Sequence, residues 1–233
     1  MAHIRAESRY EGATVTYQVD TRNKVLRLAK RGLYDEETIF DIVDSALLCH
    51  VAYEIEGQPY AMPTLIARDG HTLLLHGHAK SRTLLHAGAG NPVCITVTHT
   101  DGIVLARSVF NHSINYRCAM IYGYGRLITD PDEKLDVLYR FTEKLIPGRW
   151  DDTRPSTEQE LKGTTAVAVE IESASAKVRT GMPSDEPEDL DLPTWAGIIP
   201  VRQVMDDPLP EEHTPPDMPI PAYLRDLVSR HRA

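Results

Sequence analysis

The stretch Leu48-Cys49-His50-Val51-Ala52-Tyr53-Glu54-Ile55, followed by Glu56-Gly57-Gln58-Pro59, decides the fold of this 233-residue chain. Cys49, Val51, Tyr53 and Ile55 alternate with His50, Ala52 and Glu54, which is the period of a strand with one buried face. Glu56 to Pro59 reads as a turn and Tyr60 to Arg68 as a second strand. Asp69-Gly70 is a hairpin signal, and His71 to His76 forms the third strand. Connections this short cannot carry a crossover, so the pairing must be antiparallel.

Working upstream, Asp35 is placed to cap a helix whose first turn holds Glu36 and Glu37, favourable to its dipole. Ile39, Ile42, Val43, Ala46 and Leu47 share one face of that helix. Downstream, Ser81 caps a short helix to Ala89, which Asn91-Pro92 ends. Val93 to His99 is a strand with Val93, Ile95 and Val97 inward. Asp101-Gly102 reads as a second hairpin turn, with Ile103 to Ser108 pairing back. Asn115 to Thr129 is a long strand in which Tyr122-Gly123-Tyr124-Gly125 marks a bend or a close approach. Asp130-Pro131-Asp132-Glu133 opens a second main helix. Its apolar stripe is read as Leu135, Leu138, Tyr139, Thr142 and Leu145. Ser156 to Lys162 is a weaker helix, and Thr164 to Ile171 and Ser175 to Arg179 are late strands. About seven short strands with no strand–helix alternation point to a mainly β fold, an antiparallel barrel with peripheral α-helices. The chain divides into a basic arm over 1–33, a barrel domain over 34–202 and a proline-rich tail over 203–233, with a short closing helix over 222–230.

Net charge is −9, from 25 basic and 34 acidic side chains. Nucleic acid is therefore not an expected partner, since phosphate neutralisation needs clustered Lys and Arg. No run approaches the roughly 20 apolar residues of a membrane helix. The N-terminal residues lack the apolar core of an export signal, so a soluble cytoplasmic protein is expected. Three separated cysteines, Cys49, Cys94 and Cys118, form no metal or disulfide framework.

His76-Gly77-His78-Ala79-Lys80-Ser81-Arg82 carries the most chemistry. Lys80 and Arg82 are cationic donors beside a helix N-terminus capped by Ser81, an arrangement suited to a phosphate; a basic surface cap is the alternative. Gly77 permits an unusual backbone angle or a close approach. His76 is the candidate acid or base, because imidazole titrates near operating pH. Pro63-Thr64 within a strand signals an edge or bulge, whose free backbone groups a ligand could use. Asn111 to Ser113 and Asn115 to Arg117 form a polar cluster, either a solvated loop or a ligand rim. No carboxylate or Cys stands at ligand spacing beside His76 and His78, so no dedicated metal site is expected. A haem needs only one axial histidine, and stays open.

Taken in order, Gln58 to Thr64, Leu75 to Arg82, Val97 to Ser108, Asn115 to Cys118, Pro147 to Trp150, Lys177 to Gly181 and Trp195 to Pro200 resemble the pyridoxamine 5'-phosphate oxidase-like proteins. The resemblance covers about residues 25–202 and is closest to the nitroimidazole-resistance branch. It implies a split β-barrel homodimer holding flavin mononucleotide (FMN) at the subunit interface. Met62, Pro63, Thr64 and Leu65 would then lie along the isoalloxazine, and His76 and Gly77 near the ring or ribityl chain. Lys80, Ser81 and Arg82 would hold the phosphate. Thr96 and Ser108 would sit beneath the flavin. Tyr116, Arg117 and Trp195 would reach it, from the same subunit or from the partner. The arginine–leucine–proline ending that holds pyridoxamine phosphate in true oxidases has no counterpart here. The function implied is a flavin-dependent oxidoreductase acting on a small organic molecule. The alternatives are a non-enzymatic flavin or haem binder, and a user of the larger deazaflavin cofactor.

Overall fold

The computed structural model describes residues 15–232. Residues 1–14 of the expected arm lie outside the described residues. Strand β1 (Gly32–Leu33) precedes helix α1 (Glu36–Asp44). Strands β2 (Leu48–Ile55), β3 (Gln58–Leu65), β4 (Ala67–Asp69) and β5 (Thr72–His78) follow as a meander. Helix α2 (Arg82–Gly88) leads into β6 (Ala89–Leu105), which returns as β7 (Ser113–Ile128). Helices α3 (Pro131–Leu145) and α4 (Glu158–Lys162) precede β8 (Thr164–Arg179), and β9 (Gly197–Pro200) and α5 (Ala222–His231) close the chain.

The sheet runs β3-β2-β6-β7-β8-β5-β4, with β1 on β8 and β9 on β6, all antiparallel. The mainly β, antiparallel barrel with outer helices is therefore as expected. Its two ends are tied covalently, because only Ile66 separates β3 from β4. Beyond that tie the ends part. β4 pairs with β5 only over Thr72 to Leu74, so Leu75 to His78 bond to β8 on one side and, among the described residues, to no strand on the other. Among the described residues β3 likewise bonds only to β2. The barrel is split between β3 and β5, and each lip is a free backbone edge.

Inside, α1 plugs one end with Ile39, Ile42 and Val43, which meet Val51, Leu75 and Ile121 in the main core. Each such side chain contributes roughly 1.5–3 kcal/mol on burial. Asp35 caps α1 by accepting from Thr38 N, as its position predicts. A second cluster lies under α3, where Val137 and Phe141 cover Leu74, Ile128 and Ala166. This differs from the expected stripe. Tyr139 is exposed, and the inner face also carries lysines: Lys144 Nζ donates to Val43 O and Ile66 O, and Lys134 Nζ to Leu161 O and Thr164 O.

One turn read from the sequence is absent, and the dipeptide read as ending α2 lies inside a strand. Asp101-Gly102 lies within β6 as a bulge, where β6 continues onto β7 and β9. A Cβ at Gly102 would sit 2.9 Å from Ile198 Cγ2, so the glycine serves the approach of β9. Asn91-Pro92 is also inside β6, since α2 already ends at Gly88. The two late strands are one strand, β8. Gly123 does mark a close approach: its Cβ would fall 2.0 Å from Glu170 O, at the one register shift of the β7–β8 ladder.

Candidate functional site

The split gathers most of the residues that the sequence singles out. Along one lip, Met62 to Leu65 occupy the end of β3. Met62 is in register with buried Val51, and Pro63 with exposed His50, so the alternation aims Met62 and Thr64 to one face and Pro63 and Leu65 to the other. On the opposite lip stand His76 and Gly77 of β5. β3 and β5 approach each other across the gap. Below it, α2 begins. Ser81 caps the helix by accepting from Leu84 N at 3.4 Å, and Arg82 lays its guanidinium 4.0 Å from the centre of the Tyr60 ring on β3. That contact ties the basic helix start to the β3 lip. Lys80 is exposed beside it.

Gly77 has no positive φ. Its small size serves packing instead, since a Cβ there would lie 3.1 Å from Leu84 Cδ1 of α2. His76 turns to the outer face, under α3, with its ring 4.2 Å from Phe141. Burial pushes its pKa below the ordinary 6.5, so the imidazole is neutral at pH 7. Its Nδ1 is buried and unpartnered among the described residues.

Thr96 lies two strands in from the β3 lip, in the row Pro63–His50–Thr96. Ser108, Tyr116, Arg117 and Trp195 do not join the split within one chain. Tyr116 faces Thr100 across the β6–β7 ladder, and Arg117 is clamped by Asp101 at 3.0 and 2.9 Å. Ser108 precedes the projecting Val109 and Phe110, which are 87% and 94% exposed. Trp195 covers Gly197 at the start of β9.

Two features escaped the sequence reading. One is a cavity of about 760 Å³ at the Arg117 end, between the barrel and residues 201–205 with α5. Its wall includes His231, whose Nδ1 lies 2.9 Å from Leu227 O. A carbonyl only accepts, so Nδ1 is the donor in this contact and Nε2 is the nitrogen left for another partner. The other is a pocket of about 550 Å³ beside α2, walled by Tyr53, His86 and Tyr124. Among the described residues there is no cluster of three or more His, Cys, Asp or Glu placed to hold a metal ion. No helix among them is long and apolar enough to cross a membrane.

The sequence pattern of the pyridoxamine 5'-phosphate oxidase family matches residues 35–178. The chain belongs to that family. Among solved structures, the flavocytochrome Anf3 from Azotobacter vinelandii is 36% identical, with a TM-score of 0.83 over 89% of this chain and 96% of that one. The FAD and haem binding protein from Mycobacterium smegmatis is 34% identical, with a TM-score of 0.81 over 85% and 97%. A proposed 5-nitroimidazole antibiotic resistance protein from Bacteroides thetaiotaomicron shares the split-barrel fold at 21% identity, with a TM-score of 0.52 over 76% and 96%. A search of curated proteins finds no match.

The split suits the flavin that this family implies. Two backbone edges that are unpaired among the described residues flank a slot, and a capped helix start with Lys80 and Arg82 closes one end.

Proposed function

We propose that this member of the pyridoxamine 5'-phosphate oxidase family is a flavin-binding redox protein. On this reading it holds the FMN unit, free or as half of FAD, in the split between β3 and β5. The observation that carries the reading is the pair of free edges, Met62 to Leu65 and Leu75 to His78, opening onto the start of α2. Backbone groups of β3 would meet the polar rim of the isoalloxazine. Lys80, Arg82 and the α2 N-terminus would take the phosphate. A bound flavin supplies hydride and single-electron transfer; the protein supplies orientation and electrostatics. His76, neutral and turned under α3 onto Phe141, gives no cation to the slot.

The working unit in this reading is a homodimer. Tyr116, Arg117 and Trp195 stand away from their own split, so a second copy would have to bring them to it. The nearly bare Val109 and Phe110 are apolar surface that such a copy would cover. A small organic molecule is the expected redox partner. The purified protein, heated to release its chromophore, tests the cofactor: FMN or FAD in the supernatant is expected, and a protein that neither carries nor takes up flavin ends the proposal.

A second group is supported by the relatives described as a flavocytochrome and an FAD and haem binding protein. The 760 Å³ cavity offers apolar walls from Leu145, Val204 and Leu227, guanidinium groups from Arg202 and Arg230, and Nε2 of His231, the ring nitrogen not engaged by Leu227 O. These suit porphyrin, propionates and iron. A Soret band whose position moves in His231→Ala would support haem there; haem bound unchanged by that variant would place it elsewhere.

A further inference from the structure

The 550 Å³ pocket beside α2 is outside the split, yet a continuous track of rings leads to it. Arg82 and His86 are four residues apart on α2 and therefore lie on one face. Arg82 rests on Tyr60, at 4.0 Å. Tyr60 stacks on Tyr53, with ring centres 5.2 Å apart and planes 18° from parallel. Tyr53 meets His86 at 4.8 Å, and both rings form the wall of the pocket. Tyr53 is pinned from behind by its hydroxyl contact with Thr83 at 3.0 Å, so the ring wall is held in place. The far wall is Tyr124, which is 45% exposed, and polar groups of Glu54 and Asn91 stand at the rim. One turn of helix, about 5.4 Å, separates the basic start of α2 from this chamber.

We propose that this pocket is the adenosine subsite of the flavin, and that the physiological ligand is FAD. The inference rests on the placing of the FMN unit in the split. With that phosphate at Lys80 and Arg82, the second phosphate continues along the α2 face and the adenine enters between His86 and Tyr124. Aromatic walls suit a base because every base has a π-face, and the rim carboxylate and amide match the donors and acceptors of an adenine edge. FMN alone would leave the pocket empty. The histidine at the end of α2 thus selects the dinucleotide, while the residues of the split hold the part common to both flavins.

The test is titration of the full-length apoprotein with FAD and, separately, with FMN, in the wild type and in His86→Ala and Tyr124→Ala. Neither side chain touches the split, and Tyr124 is exposed enough to be removed without loss of core. The wild type should bind FAD at least about tenfold more tightly than FMN, and each variant should lose roughly tenfold or more in FAD affinity with FMN unchanged. Equal affinity of the wild type for the two flavins overturns the proposal while leaving the split as the flavin site. So does an equal loss of FAD and FMN in the variants. A wild type that binds neither flavin removes the reading of the split and this inference with it.

Discussion

The imidazole of His76 lies with its centre 4.2 Å from the ring of Phe141, and the apolar burial that comes with this contact sets its charge. Burial holds the folded pKa below 6.5. The unfolded chain takes up that proton near 6.5, so below this pH the unfolded state binds more protons than the folded one. The stability is present above pH 6.5 and is lost as pH falls through the folded pKa. Urea midpoints of wild type and His76→Leu at pH 7.5 and 5.5 check this. The wild type should lose more than the variant at the lower pH; parallel shifts would show that His76 is not the proton-linked group.

Two glycines separate steric need from conformational need. Gly123 has an ordinary φ, but a Cβ would fall 2.0 Å from Glu170 O in the neighbouring strand backbone. Gly57 has φ +79 and nothing within 4 Å. Gly123→Ala should therefore cost about 3 kcal/mol or more, because a strand must move. Gly57→Ala should cost about 1–2 kcal/mol, the left-handed penalty alone. Denaturant unfolding ranks them, and the reverse order would contradict the close approach of β7 and β8.

Local pattern made much of this fold readable. The period-two run from Leu48 and the caps at Asp35, Ser81 and Asp130 all predict their elements correctly, because each signal acts within a few residues. The errors come from residues whose reason lies across the sheet. Asp101-Gly102 has hairpin composition, but Gly102 is small to admit β9, nearly a hundred residues on. Of the site, the two lips and the α2 start are continuous in sequence and could be recognised together. The pocket at His86 and the cavity at His231 could not, because each is assembled from segments distant in the chain.

Lys144 accounts for the difference between the expected and the observed packed face of α3. Its ammonium donates to Val43 O at 3.1 Å and Ile66 O at 2.8 Å, so a charged residue sits on the packed side of the helix. Desolvation lowers its pKa from the usual lysine value. Lys144→Met keeps the apolar stem but abandons two carbonyls, for an expected loss of about 2–4 kcal/mol. Lys144→Arg should recover part of it. If Lys144→Met unfolds with the wild-type midpoint, the carbonyls are satisfied by water and the lysine is dispensable.

Cys49 is fully buried, and desolvation pushes its thiol up to about 12. Only the thiolate reacts, so Cys49 should resist alkylation at pH 8 in the folded protein and react on denaturation. Mass-mapped labelling with iodoacetamide decides it. Early modification of Cys49 in native buffer would mean that α1 opens readily from the barrel end.

Ser81 has two possible duties, and they can be separated. Its hydroxyl accepts from Leu84 N as the cap of α2, and it stands where a phosphate would bind. Ser81→Ala removes both functions, and should cost about 1 kcal/mol of stability and weaken flavin binding. Ser81→Asp keeps a capping acceptor but brings negative charge to the anion site. It should melt like the wild type and still lose flavin affinity by about tenfold or more. Lys80→Ala supplies the complement, because Lys80 is exposed and outside the cap: stability within about 0.5 kcal/mol of wild type, with flavin binding reduced about tenfold. Differential scanning calorimetry and flavin fluorescence titration measure the two quantities independently. An aspartate at position 81 that binds flavin as tightly as serine would move the phosphate away from the start of α2, and the orientation of the cofactor in the split would have to be reversed.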